Sequence, residues 1–271
     1  MSSIYIPSFS EISAVAQGRG ADSKAPGLWR GLVGAWPLQE PGGLTAFDVS
    51  GYRNNGTLTS MDAATDHVVT PMGRALDFDG SNDYVRINTK PVLTNQLTVC
   101  EWVLFANAAI SGGCCSFSQQ TWGAYTFDWE IYHGNSTPNL DFRAVGKLSS
   151  AYTALLDNSA YHICGVYDGA NLRLYVNGKQ SGADVAATGN VGNTAPDVEI
   201  GRGWACYFLG RLTNNLIFSR ALSLSEIRSL YADPWAMYTL RRRVQVRGAE
   251  VGTTIRWPWQ LRRHRRMAGA R

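Results

Sequence analysis

Two acidic residues, Asp128 and Glu130, are separated by one residue in the segment YTFDWEIYH (125–133). Residues two apart on a β-strand point to the same face, so this spacing would bring two carboxylates together. A retaining glycosidase uses such a pair, with its carboxyl groups about 5–5.5 Å apart. The fuller pattern of three acids at alternate positions does not occur, and the four His residues form no Ser-His-Asp pattern. We therefore expect a protein without enzymatic activity.

Aromatic residues in the same region could bind a carbohydrate rather than transform it. An exposed aromatic ring offers an apolar face to a ligand, and nearby polar groups fix the orientation of that ligand. The candidate glycan-binding residues are Trp122, Tyr125, Trp129 and Tyr132, with Gln119, Gln120 and Asn135 as polar neighbours. Alternate spacing is equally consistent with packing in a core, so both interpretations stay open.

The five cysteines do not suggest a disulfide framework, because their number is odd and Cys114 and Cys115 are adjacent. Cys100 and Cys164 lie in apolar runs, where a thiol behaves as a small buried hydrophobe. No spacing typical of zinc ligands occurs around them or Cys206. The first residues lack the basic and apolar regions of a signal peptide. We expect synthesis in a reducing cytoplasm.

Positive charge is concentrated at the C-terminal end of the sequence. Residues 241–271 contain ten Arg and one acid, Glu250, which gives +9 there and leaves −5 for residues 1–240. Such a segment could bind an acidic protein surface, anionic lipid or nucleic acid, or remain a solvated tail. Nucleic acid is the less favoured partner, because aromatics that could stack on bases are not interleaved with the basic residues.

The basic segment also carries tryptophans, which favour binding to a protein partner. Arginine would contact carboxylates of that partner, and tryptophan would anchor the segment. The expected partner-binding residues are Arg241, Arg242, Arg243, Trp257, Trp259, Arg262 and Arg263. No apolar run approaches the ~20 residues of a membrane-spanning helix.

The rest of the sequence alternates short apolar-patterned segments with turn residues, which predicts β-strands. LTVCEWVLF (97–105) predicts a well-buried strand. ALDFDGSNDYVRI (75–87) predicts a hairpin, and LRLYVNGKQ (172–180) predicts another because Asn-Gly favours a tight turn. ALSLSEIRSLY (221–231) breaks the pattern and predicts a helix with a Ser–Glu capping box.

Three parts follow from this division. Residues 1–30 are a predicted N-terminal arm, in which the apolar stretch 12–16 could be a helical turn or lie on a neighbouring molecule. Residues 31–232 form the predicted sandwich domain, and residues 233–271 form the basic C-terminal arm.

The segments of residues 31–232 resemble, in the same order, the laminin-G-like family, which shares the concanavalin-A-like sandwich. The resemblance rests on GLVGAWPLQE, AFDVSGYRNNGTL, GRALDFDGSNDYVRI, LTVCEWV, AYHICGVYDGANLRLYVNGKQ, EIGRG and FLGRLTNNLIFSRALSLSEIRSLYAD. It implies an all-β fold, a two-sheet antiparallel jelly-roll sandwich with a short C-terminal helix and extended terminal arms.

Calcium is the cofactor that the resemblance implies, bound by carboxylates and backbone oxygens at the rim of the sandwich. In the matching segments the candidate ligands are Asp48, Asp77, Asp79 and Asp83, with Asn54 and Asn82 beside them. This sequence departs from the family at Thr213-Asn214, where an acidic pair is common, and the loss of two charges weakens the expectation. Turn formation, with Asp accepting backbone N–H bonds, is the alternative role of these acids.

The end of the sequence, Asp233-Pro234-Trp235 followed by an Arg cluster, resembles laminin-G-like proteins of tailed bacteriophages. This resemblance implies a structural virion protein, a capsid decoration or surface protein that displays its jelly roll and attaches through its arms to capsid proteins. The expected location is the capsid surface, with self-association and surface glycans as further contacts. The alternative is a soluble, calcium-dependent, glycan-binding lectin.

Overall fold

The computed structural model describes residues 5–18, 20–89, 91–105, 114–121, 126–133, 140–149, 155–192, 194–203 and 206–241. Most of these residues lie in strands. The strands are β1 Leu32–Trp36, β2 Thr45–Ala46, β3 Gly56–Thr59, β4 His67–Thr70, β5 Gly73–Asp79, β6 Tyr84–Ile87, β7 Leu97–Phe105, β8 Cys114–Thr121, β9 Thr126–His133, β10 Leu140–Ala144, β11 Lys147–Leu148, β12 Ala160–Tyr167, β13 Asn171–Val176, β14 Lys179–Ala186, β15 Asp197–Ile200, β16 Arg202–Gly203, β17 Cys206–Tyr207 and β18 Leu209–Phe218. The helices are α1 Phe9–Gln17 and α2 Leu224–Ala232, with 3₁₀ turns at Pro26–Trp29 and Ala236–Tyr238.

Two antiparallel sheets form a sandwich. The first sheet has the strand order β14-β13-β12-β7-β18-β5-β4, with β1 also paired to β18. The second has the order β11-β10-β9-β8-β15-β6-β3-β2, and the small β16–β17 hairpin packs against its central strand β8. The predicted all-β jelly-roll sandwich with a short C-terminal helix is confirmed.

The segment 75–87 does not form the predicted hairpin. Its two halves become β5 of the first sheet and β6 of the second, so the intervening turn crosses from one sheet to the other. Alternation of apolar and polar residues shows that one face of each strand is buried, but it does not identify the partner strand. The hairpin predicted at Asn177-Gly178 is confirmed between β13 and β14, and both turn residues have positive φ (51° and 73°).

The main core lies between the two sheets. Because successive strand residues point to opposite faces, alternate residues of β7, including Val99, Val103 and Phe105, point towards the second sheet. Phe117 and Trp129 are fully buried opposite them, with ring centroids 5.0 Å apart in an edge-to-face arrangement. The inward-facing residues of the second sheet thus hold it against the first sheet, and its outward-facing residues can be polar.

A second core covers part of the outer face of the first sheet. The helices and 3₁₀ turns supply apolar residues to it, among them Ile12, Ile227 and Trp235. Strand β7 is therefore buried on both faces, which agrees with the continuous apolar run of LTVCEWVLF. Among the described residues, no helix has the length and apolar character to cross a membrane.

Cys100 and Cys164 form a disulfide in this second core, which corrects the expectation that both are reduced, buried thiols. They lie directly opposite each other on the neighbouring antiparallel strands β7 and β12, with Cα atoms 4.2 Å apart. Opposed positions on paired strands bring two Cβ atoms together. Cys114, Cys115 and Cys206 are not disulfide-bonded.

Both helices begin at the same kind of sequence motif. Ser8 and Ser223 are N-caps, and each forms a reciprocal capping box with the glutamate three residues later, Glu11 or Glu226. The helix predicted at 221–231 is thus present as α2. The stretch 12–16 belongs to the longer helix α1.

The compact unit that contains the sandwich extends to Leu240, beyond the boundary expected at residue 232. Trp235 is fully buried and Met237 lies in the second core. At the other end, Ile12 of the expected N-terminal arm is also fully buried there. Apolar residues on both sides of the predicted domain therefore contribute to its fold.

Candidate functional site

A row of polar side chains crosses the outer face of the second sheet, one from each of six neighbouring strands. From β3 to β10 the cross-strand partners are Thr57, Arg86, Glu199, Ser118, Glu130 and Arg143. Residues on either side of them in sequence, such as Val85 and Ile200, point into the main core. Each glutamate of the row lies beside an arginine, so positions and charges are matched across the face.

Two tyrosines and two arginines form a patch at the β6 end of this row, which we call the tyrosine–arginine platform (Tyr84, Arg86, Arg202 and Tyr207). The Tyr84 and Tyr207 rings are both partly exposed, with centroids 6.3 Å apart. The Cζ atom of Arg202 lies 3.7 Å from the centroid of the Tyr84 ring, a cation–π contact. The hairpin pairing of Arg202 with Tyr207 holds these groups together.

Acids of β15 fix the cations of the platform. Arg202 Nε donates a hydrogen bond to Glu199 Oε2 at 2.8 Å, and Gln120 Nε2 donates to the same oxygen at 3.3 Å. Arg86 Nε donates to Asp197 Oδ2 at 2.9 Å. Burial opposes the charge of Arg202, but the hydrogen bond and ion pair with Glu199 hold its pKa above the usual value. The Arg202 guanidinium stays charged, and the hydrogen bonds orient both arginine side chains.

A similar cluster occupies the β10 end of the row. The Cζ atom of Arg143 lies 3.7 Å from the centroid of the Tyr132 ring, and its Nη1 donates to Glu130 Oε1 at 2.8 Å. The Cys115 thiol donates to the other Glu130 oxygen at 3.0 Å. Burial, together with the charge of Glu130, raises the pKa of Cys115. Burial also raises the pKa of Asp141, although nearby Arg143 opposes this shift.

Asp128 and Glu130, the two carboxylates with catalytic spacing, are both engaged by other groups. Asp128 accepts hydrogen bonds from Gln119 Nε2 at 3.0 Å, Thr194 Oγ1 at 2.9 Å and the Ala195 amide at 2.9 Å. Glu130 is paired with Arg143 and bonded to Cys115, as described above. These contacts give both acids a structural task.

The predicted glycan-binding residues have different locations. Trp129 is fully buried in the main core, and its Nε1 donates to Gln119 Oε1 at 3.0 Å, so its assignment to a glycan site is wrong. Tyr132 lies on the outer face against Arg143 and is partly exposed. Trp122, Tyr125 and Asn135 lie outside the described residues.

Sequence reasoning missed the residues of the platform. Tyr84 and Arg86 alternate with Val85 and Ile87 in YVRI, which indicates that they point away from the core. That signal was available. The approach of Tyr207 depends on the short hairpin that begins after β15, and no local pattern predicts its position.

Asp48, one of the expected calcium ligands, serves as a turn acceptor. Its Oδ1 accepts the amides of Ala35 at 3.0 Å and Ser50 at 2.8 Å, and its Oδ2 accepts the amide of Asn54 at 2.9 Å. Three backbone donors satisfy this buried carboxylate. The result agrees with turn formation, the alternative considered for these acids.

The other three expected ligands lie near one another but do not converge on a metal position. Asp79 Oδ1 accepts the amides of residues 81 and 82, Asp83 Oδ2 accepts the Asp79 amide at 3.1 Å, and Asp77 pairs with Arg211 at 3.2 Å. Within the described part of the chain, the only group of three or more His, Cys, Asp or Glu side chains with ligand atoms close enough for a metal is Cys100, His162 and Cys164. The disulfide occupies both of its sulfurs. Calcium binding by Asp48, Asp77, Asp79 and Asp83 stays a prediction.

Of the expected partner-binding residues in the basic segment, Arg241 is exposed. The other six, Arg242, Arg243, Trp257, Trp259, Arg262 and Arg263, lie outside the described residues. Their role stays a prediction.

The sequence of residues 79–228, more than half of the chain, matches the family model of the concanavalin A-like lectin/glucanases superfamily, Laminin_G_3. This region contains the platform and the Arg143–Tyr132 cluster at the β10 end of the row. A comparison with curated proteins finds no match.

Solved structures with the same fold include carbohydrate-related domains. Domain 4 of an extracellular arabinanase from Geobacillus stearothermophilus, in complex with arabinotriose, has a TM-score of 0.54 at 19% identity over 74% of this chain and 98% of that one. A Trypanosoma rangeli sialidase mutant has a TM-score of 0.55 at 17% identity, over 78% of this chain and 34% of the sialidase. The receptor-binding domain of a botulinum neurotoxin C/D mosaic has a TM-score of 0.57 at 13% identity, over 74% of this chain and 51% of that one. At these identities the likeness establishes the fold.

Proposed function

Because the chain belongs to the concanavalin A-like lectin/glucanase superfamily, we propose that it is a non-catalytic carbohydrate-binding protein. The ligand lies on the outer face of the second sheet. The observation that supports this proposal is the tyrosine–arginine platform, where partly exposed aromatic rings stand beside charged groups held in fixed positions. Such a combination of apolar surface and a few oriented polar groups is typical of a ligand site.

The chemistry of the platform suits a sugar. The Tyr207 ring can pack against the C–H face of a pyranose or furanose, and its hydroxyl and the Arg86 guanidinium can hydrogen-bond to ring hydroxyls. Asp197 and Glu199 are buried and hold the Arg86 and Arg202 guanidinium groups in place through ion pairs. Since these groups are oriented before binding, little side-chain entropy is lost on association.

The test is a glycan-array screen of the full chain followed by calorimetric titration of any hit. The panel includes arabinotriose, the ligand of the arabinanase domain. We expect Tyr207→Ala to weaken binding by about tenfold, about 1.4 kcal/mol. Tyr52→Ala is the matched control, because Tyr52 is 64% exposed on a turn outside the platform. Equal affinities of the two variants, or no glycan bound at all, would reject the proposed site.

We further propose that no hydrolysis occurs at this face. The carboxylates of Asp128 and Glu130 are engaged by structural donors, so neither is free to act as acid or nucleophile on a bound sugar. The check is release of reducing ends from each glycan that binds. Turnover that disappears in Glu130→Gln but persists in Asp184→Asn, an exposed acid on β14, would overturn this part of the proposal.

Calcium has no role in the proposed binding. Both carboxylate oxygens of Asp48 and Oδ1 of Asp79 accept backbone amides, and the platform uses arginine and tyrosine instead. Titrations in EDTA and in calcium should therefore give the same dissociation constant. Binding that requires calcium would show that the ligand lies elsewhere.

A second candidate function is attachment of the protein to a virion, with the sandwich displayed on the capsid surface. The charge distribution favours it, because +9 is concentrated in residues 241–271, after the compact unit ends at Leu240. A dense arginine segment would bind an acidic shell protein. The test is mass spectrometry of gradient-purified particles after a high-salt wash. Stoichiometric retention supports this role, whereas absence from particles excludes it.

A further inference from the structure

The outer face of the first sheet is covered only in part by the second core. Two cross-strand rows on this face, which include Cys164–Cys100–Leu216 and Val166–Thr98–Phe218, lie under the helices. The following row contains His162, Trp102 and Thr213. Tyr231 of α2 stacks on Trp102, with ring centroids 5.9 Å apart. The helical cover therefore reaches Trp102 and leaves the next part of the sheet open.

A cavity of about 250 Å³ lies on this open part of the sheet. Its walls are mainly apolar. The residues that line it include Met72, Ala75, Trp102, Leu104, Ala160 and Arg211. This volume lies below the range of about 300–1,000 Å³ typical of sites for drug-sized molecules. The cavity therefore suits one large side chain or ring rather than an extended molecule.

Within the described residues, one buried polar group of the cavity lining lacks a partner. Trp102 is 8% exposed, and its Nε1–H has no hydrogen-bond acceptor among the described residues. Arg211 bonds to Asp77 through Nε at 3.2 Å, and its side chain is 39% exposed. A buried N–H without an acceptor costs about 1–3 kcal/mol.

An acidic strip adjoins the cavity. Asp77 and Asp79 lie on the same face of β5 as the cavity residue Ala75. The Asp77 amide donates to the Asp66 carbonyl at 2.9 Å, which places Asp66 beside the strip. Burial and the charges of Asp79, Asp66 and Asp77 raise the pKa of Asp83. Arg211 neutralises one of these four acids, so the surroundings of the cavity are negative.

We propose that this cavity and the acidic strip bind a basic peptide segment of a partner protein. One large apolar side chain of the segment, tryptophan or phenylalanine, fills the cavity, and flanking arginines or lysines pair with the strip. Charge complementarity selects this occupant, because an anionic ligand would be repelled by the acids of the strip that Arg211 does not neutralise. The inference concerns the opposite sheet from the platform and does not depend on carbohydrate binding.

The experiment is calorimetric titration of the full chain with synthetic peptides. The probe has one tryptophan with two arginines on each side, and a control peptide has alanine in place of the tryptophan. We expect the alanine peptide to bind about tenfold more weakly, which corresponds to about 1.4 kcal/mol. Because this comparison uses the unaltered protein, it does not depend on whether a variant folds.

Three variants test the location. Ala160→Trp should fill the cavity and abolish binding of the tryptophan peptide; Ala160 is an exposed residue of β12, where a larger side chain is tolerated. Asp79→Asn keeps the turn acceptor and removes one charge, so binding should weaken by about threefold, less so at high salt. Asp184→Asn, an exposed acid on β14, should bind as the unaltered protein does.

Three results would overturn the inference. Equal affinities of the tryptophan and alanine peptides would mean that charge alone attracts them. Binding of free indole as tightly as the peptide, with no effect of Asp79→Asn, would make the cavity a site for neutral aromatic molecules instead. Retained binding in a folded Ala160→Trp protein, verified by circular dichroism, would equally exclude the cavity.

Discussion

Glu101 should make the stability of this protein depend on pH between about 4.5 and 8. Its side chain is fully buried on the inward face of β7, where Ser116 Oγ and Asn215 Nδ2 (at 3.2 Å) donate hydrogen bonds to it. Burial without a basic partner disfavours the charged form. It raises the pKa of Glu101 to about 8, from an ordinary value of 4.5.

The sign and size of the effect follow from linkage. Between pH 4.5 and pH 8 the folded protein keeps the Glu101 proton, while the unfolded chain releases it. The stability contribution is therefore complete below pH 4.5 and is lost as the pH rises to about 8. Each pKa unit corresponds to about 1.4 kcal/mol, so the free energy of unfolding should fall by about that amount per pH unit.

The assay is urea unfolding of the unaltered protein and of Glu101→Gln at half-unit steps from pH 5.5 to pH 8.5. The glutamine has nearly the same volume but does not titrate, so its curve should lack this decline. Burial lowers the pKa of His133 and His162 to about 3, from an ordinary value of 6.5. This shift changes the stability of both proteins equally, and only below pH 6.5. Glu226→Gln is the control, because Arg220 lowers the pKa of Glu226 to about 2 and it stays charged throughout. Parallel pH profiles of Glu101→Gln and the unaltered protein would refute the reasoning.

Three further predictions concern the sandwich itself. Replacing both Cys100 and Cys164 by alanine should destabilise the fold by about 4 kcal/mol, because the disulfide restricts the unfolded chain across a 64-residue separation. Non-reducing mass spectrometry should find one disulfide in the unaltered protein. Trp129→Ala should cost about 3–5 kcal/mol in urea unfolding because it empties the main core, whereas Trp129→Phe should cost less; a neutral Trp129→Ala would contradict its burial. Asp48→Ala should cost about 1–3 kcal/mol by leaving three amides without an acceptor, and calcium should not change that figure in thermal unfolding.

The sequence allowed the fold class and several strands to be predicted, because those depend on local patterns. Asn177-Gly178 specifies its own tight turn, and Ser223 with Glu226 specifies the start of α2. The assignment of strands to sheets is not local. Residues 75–87 alternate as a hairpin would, yet β5 and β6 belong to opposite sheets, since burial of one face says nothing about the neighbouring strand.

The errors in the candidate site have the same origin. Alternation correctly places Tyr132 and Trp129 on opposite faces of β9, but only the packing of the sheets decides which face is the core. Cys100 and Cys164 are far apart in sequence, and their pairing depends on the register of β7 against β12. An odd number of cysteines excludes a fully paired set but not a single disulfide.

The charged groups on the second sheet are better explained by recognition than by stability. Glu199 is 1% exposed and Arg202 is 5% exposed, so the pair has lost most of its hydration. The attraction within a buried ion pair often does no more than offset that loss, and apolar residues of similar volume would stabilise the sheet as well or better. What the ion pair does provide is direction, because it fixes a guanidinium against the Tyr84 ring beside a partly exposed tyrosine. The first sheet needs no such groups under its helices, where the disulfide and the second core supply rigidity.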